Sequence, residues 1–124
     1  MNVINNGFAK IWFEDDILRV EFLKEHYDFD MADQCIKDRR EFTGDKKILM
    51  LSDMRNVKSA TREARQRVSL PDSAEGCVAV AVLVRSKVQE TIFNFFSSIY
   101  KEPSPTKLFT DIEKAKIWLL KHKV

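Results

Sequence analysis

Arg55, Lys58, Arg62, Arg65 and Arg67 fall within thirteen residues that hold a single acid, Glu63. Guanidinium and ammonium groups at that density bind phosphate or carboxylate when a fold aims them at one place. A second basic group, Arg85, Ser86 and Lys87, follows the most apolar run of the chain. Together they form a candidate anion site for a phosphate, a phospholipid headgroup, a nucleotide or an acidic partner surface. The competing reading is a solvated helix face, the usual fate of basic clusters. Ser59 and Thr61 lie inside the first group, and capping a following helix is their simplest role.

Catalysis has less support. His26 and His122 lie near the two ends without a serine, cysteine or carboxylate at motif spacing. Asp15 and Asp16 are paired acids in a turn, where they stay solvated, the opposite of what acid–base work requires. Only Gly7, Gly44 and Gly76 are present, too few for a glycine-rich phosphate loop. Cys35 and Cys77 lack zinc spacing and read as reduced, buried small hydrophobes. The expectation is a non-enzymatic protein with no metal and no cofactor.

These groups must be carried by elements the pattern can name. Residues 77–84, Cys-Val-Ala-Val-Ala-Val-Leu-Val, run eight positions without a polar interruption. Such a run reads as a strand buried on both faces, hence a sheet with covering elements on each side. Residues 8–14 and 17–22 alternate around Asp15-Asp16 as a β-hairpin. Ile11, Phe13, Leu18, Val20 and Phe22 share one face, with Lys10, Trp12, Glu14, Arg19 and Glu21 on the other. Trp12 is the odd member of the polar face and is expected to be covered by a terminus or a partner.

A first helix is predicted from about Asp30, ended by Gly44. Residues 47–51 form a second buried strand, ending at Ser52-Asp53. A second helix begins at Ser59 or Thr61, buries Ala60, Ala64 and Val68, and stops at Pro71. A third spans about 87–100. There Val88, Ile92, Phe95 and Ile99 make a core stripe, and Phe93, Phe96 and Tyr100 a second, aromatic one about 100° round the helix. That second stripe packs on a neighbouring helix, lines a pocket, or forms a dimer or partner interface. After a proline-rich loop, residues 107–109 form a short strand, and Thr110 with Glu113 makes a capping box for a last helix.

The predicted fold is therefore α/β, a single domain over residues 1–124. It has a mixed, mostly parallel sheet of about five strands and four helices in the order ββαβαβαβα. Right-handed crossovers make the later strands parallel.

Charge is uneven. Residues 1–54 carry 8 basic and 12 acidic side chains, and residues 55–124 carry 13 and 7, against an overall net charge of +2. That polarity suits an anion-facing side but falls short of a nucleic-acid footprint. The eight-residue run is well short of the ~20 apolar residues a membrane-spanning helix needs. Residues 1–7 carry no signal-peptide pattern, so the expected location is the cytoplasm.

With these elements in place, the chain resembles the STAS superfamily, the domains related to bacterial anti-sigma-factor antagonists. The likeness is carried by Ile48-Leu49-Met50-Leu51-Ser52-Asp53-Met54-Arg55-Asn56-Val57, a hydrophobic strand, an aspartate and a short loop to the next helix. The strand of residues 78–85 leading directly into a helix adds to it. The ending, Pro105-Thr106-Lys107-Leu108-Phe109-Thr110-Asp111 with Ala115 and Trp118-Leu119, is similar to a bacterial STAS-like subfamily related to lipid-binding CRAL-TRIO domains.

The resemblance implies a regulatory or protein-interaction module that docks a protein partner or a second copy of itself, and the second aromatic stripe of the third helix supplies Phe93, Phe96 and Tyr100 as interface candidates. Its alternative is a carrier of an anionic lipid or nucleotide at the carboxyl edge of the sheet. Antagonists of this class carry an Asp-Ser-Ser-Gly-like motif whose serine is phosphorylated. The matching stretch here is Ala60-Thr61-Arg62-Glu63-Ala64, without the serine pair or the glycine. The family's phosphoserine switch is accordingly not expected.

Overall fold

The computed structural model describes residues 2–86 and 104–123. Six strands form one mixed sheet: β1 (Val3–Asn5), β2 (Ala9–Glu14), β3 (Ile17–Phe22), β5 (Ile48–Asp53), β7 (Cys77–Leu83) and β8 (Thr106–Phe109), ordered β1-β2-β3-β5-β7-β8. The first three pair antiparallel and the rest parallel. A second, two-stranded parallel sheet joins β4 (His26–Tyr27) to β6 (Ser59–Ala60). The described helices are α1 (Phe29–Thr43), α2 (Arg62–Val68) and α3 (Ile112–Leu120), with a 3₁₀ turn at Pro71–Ser73.

The sequence reading of about five strands in a ββαβαβαβα order is thus corrected by β1, β4 and β6. Of the four expected helices, three lie among the described residues. The one expected over about 87–100 lies outside them, as do Lys87, Phe93, Phe96 and Tyr100.

The hairpin forms as its alternation requires. Glu14 pairs with Ile17 across a two-residue turn in which Asp15 and Asp16 take φ of 51° and 67°. Positive φ at both positions matches the twist of the flanking strands. Trp12 is covered from two sides. It lies opposite Val3 of β1, and the Arg19 guanidinium is 5.0 Å from its ring centroid.

Two apolar layers explain the uninterrupted strands. Val80 and Val82 of β7, with Ile48 and Met50 of β5, meet Met31, Ala32, Cys35 and Ile36 of α1 and Ala64 and Val68 of α2. Ala79 and Ala81, with Leu49, Leu51 and Ile17, meet Ala115 and Leu119 of α3. The small alanines let α3 approach the sheet closely. The valines fill the wider gap on the other side.

Helix ends follow local chemistry. Asp28 caps α1 by accepting from the Met31 N–H. Gly44 closes it at φ 56°, donating its N–H to Arg40 O at 2.9 Å, a backbone state that disfavours a side chain. Two sequence expectations are corrected here. Thr61 alone caps α2, accepting from Ala64 N–H at 3.0 Å, while Ser59 and Ala60 belong to β6. Asp111, not Thr110, caps α3, because its carboxylate reaches the N–H groups of both Glu113 and Lys114.

Candidate functional site

The carboxyl ends of the parallel strands are where open α/β sheets receive ligands, and there the fold brings together Arg55 and Arg85 of the candidate residues. Asp53 ends β5, in register with Glu21 at the end of β3. Its carboxylate is buried and is gripped by Arg55 from the next turn. The Arg55 backbone N–H and Nε donate to Oδ1 at 3.1 and 3.0 Å, and Nη2 donates to Oδ2 at 2.8 Å. This bidentate, charge-assisted clasp favours the charged guanidinium. It also means that the Arg55 fork already holds an anion supplied by the chain itself.

The loop that carries Arg55 is tied down along its length. Met54 N–H donates to Leu83 O, Asn56 Nδ2 to Phe22 O, and Lys58 N–H to Glu25 O. The Lys58 ammonium pairs with Glu25 at 2.9 Å, and that hydrogen bond holds the Glu25 carboxyl below its ordinary range. Arg85 and Ser86 follow β7 and are exposed. Glu21, Asp53, Arg55, Asn56, Val84, Arg85 and Thr110 line an open cleft of about 370 Å³.

The basic cluster is therefore divided among different surroundings. Arg55 and Arg85 line the cleft. Lys58 pairs on the surface with Glu25, and Arg62 is exposed at the start of α2. Arg67 turns inward and binds Asp33 and Asp72. Its role is structural, and its position four residues after Glu63 gave no sign of that.

Ser59 and Thr61 have different partners. Thr61 makes the cap. The Ser59 hydroxyl lies 2.6 Å from His26 Nδ1 across the β4·β6 pair, a contact between residues 33 apart that no sequence spacing announces. The pair is exposed, and among the described residues no carboxylate bonds the other ring nitrogen. A relay of nucleophile, base and orienting acid is not assembled there. His122 instead packs on Trp118, with Nδ1 3.0 Å from that residue's carbonyl oxygen.

A Thr61→Ala change should cost about 1 kcal/mol of stability, and Ser59→Ala less than about 0.5 kcal/mol, as for an exposed surface site. Urea unfolding of the two variants checks this. A larger loss at Ser59 would return the capping role to it.

Cys35 and Cys77 are free and buried. Burial pushes the Cys35 thiol up to about 11 and raises that of Cys77 as well, so both stay protonated at neutral pH. Among the described residues no cluster of histidine, cysteine, aspartate and glutamate could hold a metal ion, and no described helix is long and apolar enough to cross a membrane.

Compared with solved structures, the chain is similar to an uncharacterised DUF3478-family protein from Shewanella loihica PV-4 that has a SpoIIAA-like fold. The TM-score is 0.63 at 18% identity, over 90% of this chain and 91% of that one. It also aligns with a protein of unknown function from Arthrobacter sp. FB24 over 96% of this chain and 98% of that one, at 25% identity and a TM-score of 0.35. No curated protein matches it in sequence. The Shewanella likeness shows the fold: SpoIIAA-like, the fold of STAS domains. Residues 11–123 match the family model of a domain of unknown function, DUF7793, and the chain belongs to that family.

Proposed function

We propose that this STAS-like chain is a non-catalytic regulatory module that docks a protein partner, or a second copy of itself, at the carboxyl edge of its sheet, without a phosphoserine switch. The observation that carries the reading is the Asp53–Arg55 clasp. A carrier of small anions needs cations whose hydrogen-bond capacity is open to the ligand. Here the Nε–Nη2 edge of the guanidinium is already taken by a buried aspartate, which also neutralises its charge, so a phosphate or carboxylate meets a weakened cation. The Glu25–Lys58 pair puts a second cation beside its own acid.

An edge lined by fixed groups of both signs, with Glu21, Asn56, Arg85 and Thr110 beside the clasp, suits the mixed donors and acceptors of a polypeptide. The hydroxyls nearest the family's phosphorylation position are engaged, Thr61 in its cap and Ser59 with His26. That supports a module that signals by occupancy.

A photo-crosslinking residue at position 86, combined with native mass spectrometry of the purified protein, tests the proposal. The expected result is a discrete crosslinked protein species that an Arg55→Glu, Arg85→Glu double variant weakens at least about tenfold, with no small molecule carried through purification. A monomer that carries a lipid- or nucleotide-sized adduct, lost in the same variant, would overturn it in favour of the carrier. Phosphate found on Ser59 in the intact mass would overturn the claim that no phosphoserine switch operates.

A further inference from the structure

The end of the sheet opposite this docking edge holds a second cleft, assembled from four segments distant in sequence. The hairpin contributes Phe13 and Asp16, the loop into β5 contributes Lys46 and Lys47, β7 contributes Val78, and the chain beyond α3 contributes Lys123. The cleft measures about 470 Å³, within the range of small-molecule sites. Ile48 and Leu49, both almost wholly buried, complete an apolar floor that crosses the end of the sheet, with Phe13 and Ile48 on the α1 side and Leu49 and Val78 on the α3 side.

Its walls are built closely. Gly76, at φ +85°, takes a backbone state that L side chains rarely adopt, and a Cβ there would come within 3.2 Å of Lys46 O. The absence of a side chain lets the lysine-bearing loop lie against the entry to β7, where Ile48 N–H donates to Gly76 O. The Lys46 ammonium stands 5.4 Å from the centroid of the Phe13 ring, and Phe13 is stacked in turn on Phe42. One cation is therefore held at the boundary between the apolar floor and solvent.

The charge balance here differs from that of the carboxyl edge. Lys123 pairs with Asp16 at 2.7 Å. Lys46 and Lys47 have no carboxylate partner among the described residues, and the three lysines face one acid. An apolar floor rimmed by two unneutralised ammonium groups complements a molecule with an apolar body and one anionic head. A bare phosphate would leave the floor wet, and a neutral hydrocarbon would leave the lysines without a counter-charge.

We infer that this amino-end cleft binds a single-chain anionic amphiphile, its carboxylate at Lys46 and Lys47 and its hydrocarbon along Phe13, Ile48, Leu49 and Val78. The site is independent of the docking edge, so either assignment stands if the other fails.

Amide ¹H–¹⁵N titration of the whole chain with sodium dodecanoate below its micelle concentration tests it, with inorganic phosphate and vesicles of anionic phospholipid run in parallel. The expected outcome is saturable binding with shifts at Phe13, residues 46–49, Val78 and Lys123. Phosphate should bind at least about tenfold more weakly. A Lys46→Glu, Lys47→Glu variant should weaken dodecanoate binding about tenfold or more, as reversal of two exposed charges warrants, with an otherwise unchanged spectrum. Both lysines are exposed, so that variant is expected to fold. Four outcomes would overturn the inference: no saturable binding of dodecanoate, dodecanoate binding equal in the variant, shifts centred elsewhere, or a response to vesicles alone.

Discussion

Arg39→Met is expected to lower the free energy of unfolding by about 3–5 kcal/mol, among the largest losses any single exchange in this chain would give. Arg39 lies on α1 and is 3% exposed. Its guanidinium spreads over three backbone carbonyls: Nη1 donates to Glu75 O at 2.8 Å, and Nη2 donates to Asp72 O at 3.2 Å and Ser73 O at 3.0 Å. Those carbonyls belong to the 3₁₀ turn and the loop that feeds β7, the strand with both faces buried. Methionine fills much of the volume but removes the side-chain donors from Glu75 O and Ser73 O, while Asp72 O keeps the Glu75 N–H, and each orphaned buried acceptor costs about 1–3 kcal/mol.

Arg39→Lys separates charge from shape. An ammonium keeps the charge but cannot span three carbonyls from a planar fork, so a loss of about 2 kcal/mol is expected. Guanidinium unfolding of both variants is the measurement. Full stability in the lysine variant would show that charge alone mattered.

Much of the frame that carries these groups was legible in the sequence because it depends on local periodicity. The hairpin follows from alternation around two residues that tolerate positive φ. The uninterrupted residues 77–84 announce a strand with two covered faces, and Gly44 marks the end of α1. What escaped is non-local or very short. β1 has three residues, too few to display a period. β4 and β6 have two each, and their pairing joins residues 33 apart.

Ala60 shows how spacing misleads. It precedes Ala64 by four, as a helical core residue would, yet it packs on the same core from a strand. The end of β8 misled for a different reason. Thr110 and Asp111 both have capping side chains, and the choice went to the carboxylate that satisfies two N–H donors at once.

The candidate site was legible as charge density but not as charge pairing. Arg55, Lys58 and Arg67 read alike in sequence, as three cations in one basic stretch. Their partners set them apart: Asp53 two residues back, Glu25 in the loop before β4, and Asp33 on α1 with Asp72 in the 3₁₀ turn. Aspartates and glutamates from elsewhere in the chain decide which cations remain available. The lysines at the opposite end of the sheet drew no notice, because Lys46 and Lys47 are only two in number and lie beside Asp45.

Arg67 provides the second large effect, one with a pH signature. Its Nε donates to Asp33 at 2.8 Å, and Nη1 and Nη2 grip Asp72 at 2.8 and 2.9 Å, tying α2 to α1 and to the 3₁₀ turn. The hydrogen bond from Arg67 is the largest cause holding each carboxyl below its ordinary value of 3.8, with Lys37 adding to the effect at Asp33. A carboxyl whose folded pKa is depressed contributes stability that is fully present above its unfolded pKa and lost as pH falls through the folded one.

The wild-type chain should therefore lose stability steeply below about pH 4. Arg67→Met should cost about 2–4 kcal/mol at neutral pH and flatten that acid limb, since the two carboxyls then titrate nearer their unfolded values. A shallow dependence would remain from Glu14, which Lys116 holds low. Urea unfolding from about pH 2.5 to 7, spanning the carboxylate range, gives both curves. Parallel acid limbs in wild type and variant would mean that the acid sensitivity arises elsewhere, and that Arg67 holds the two helices by packing alone.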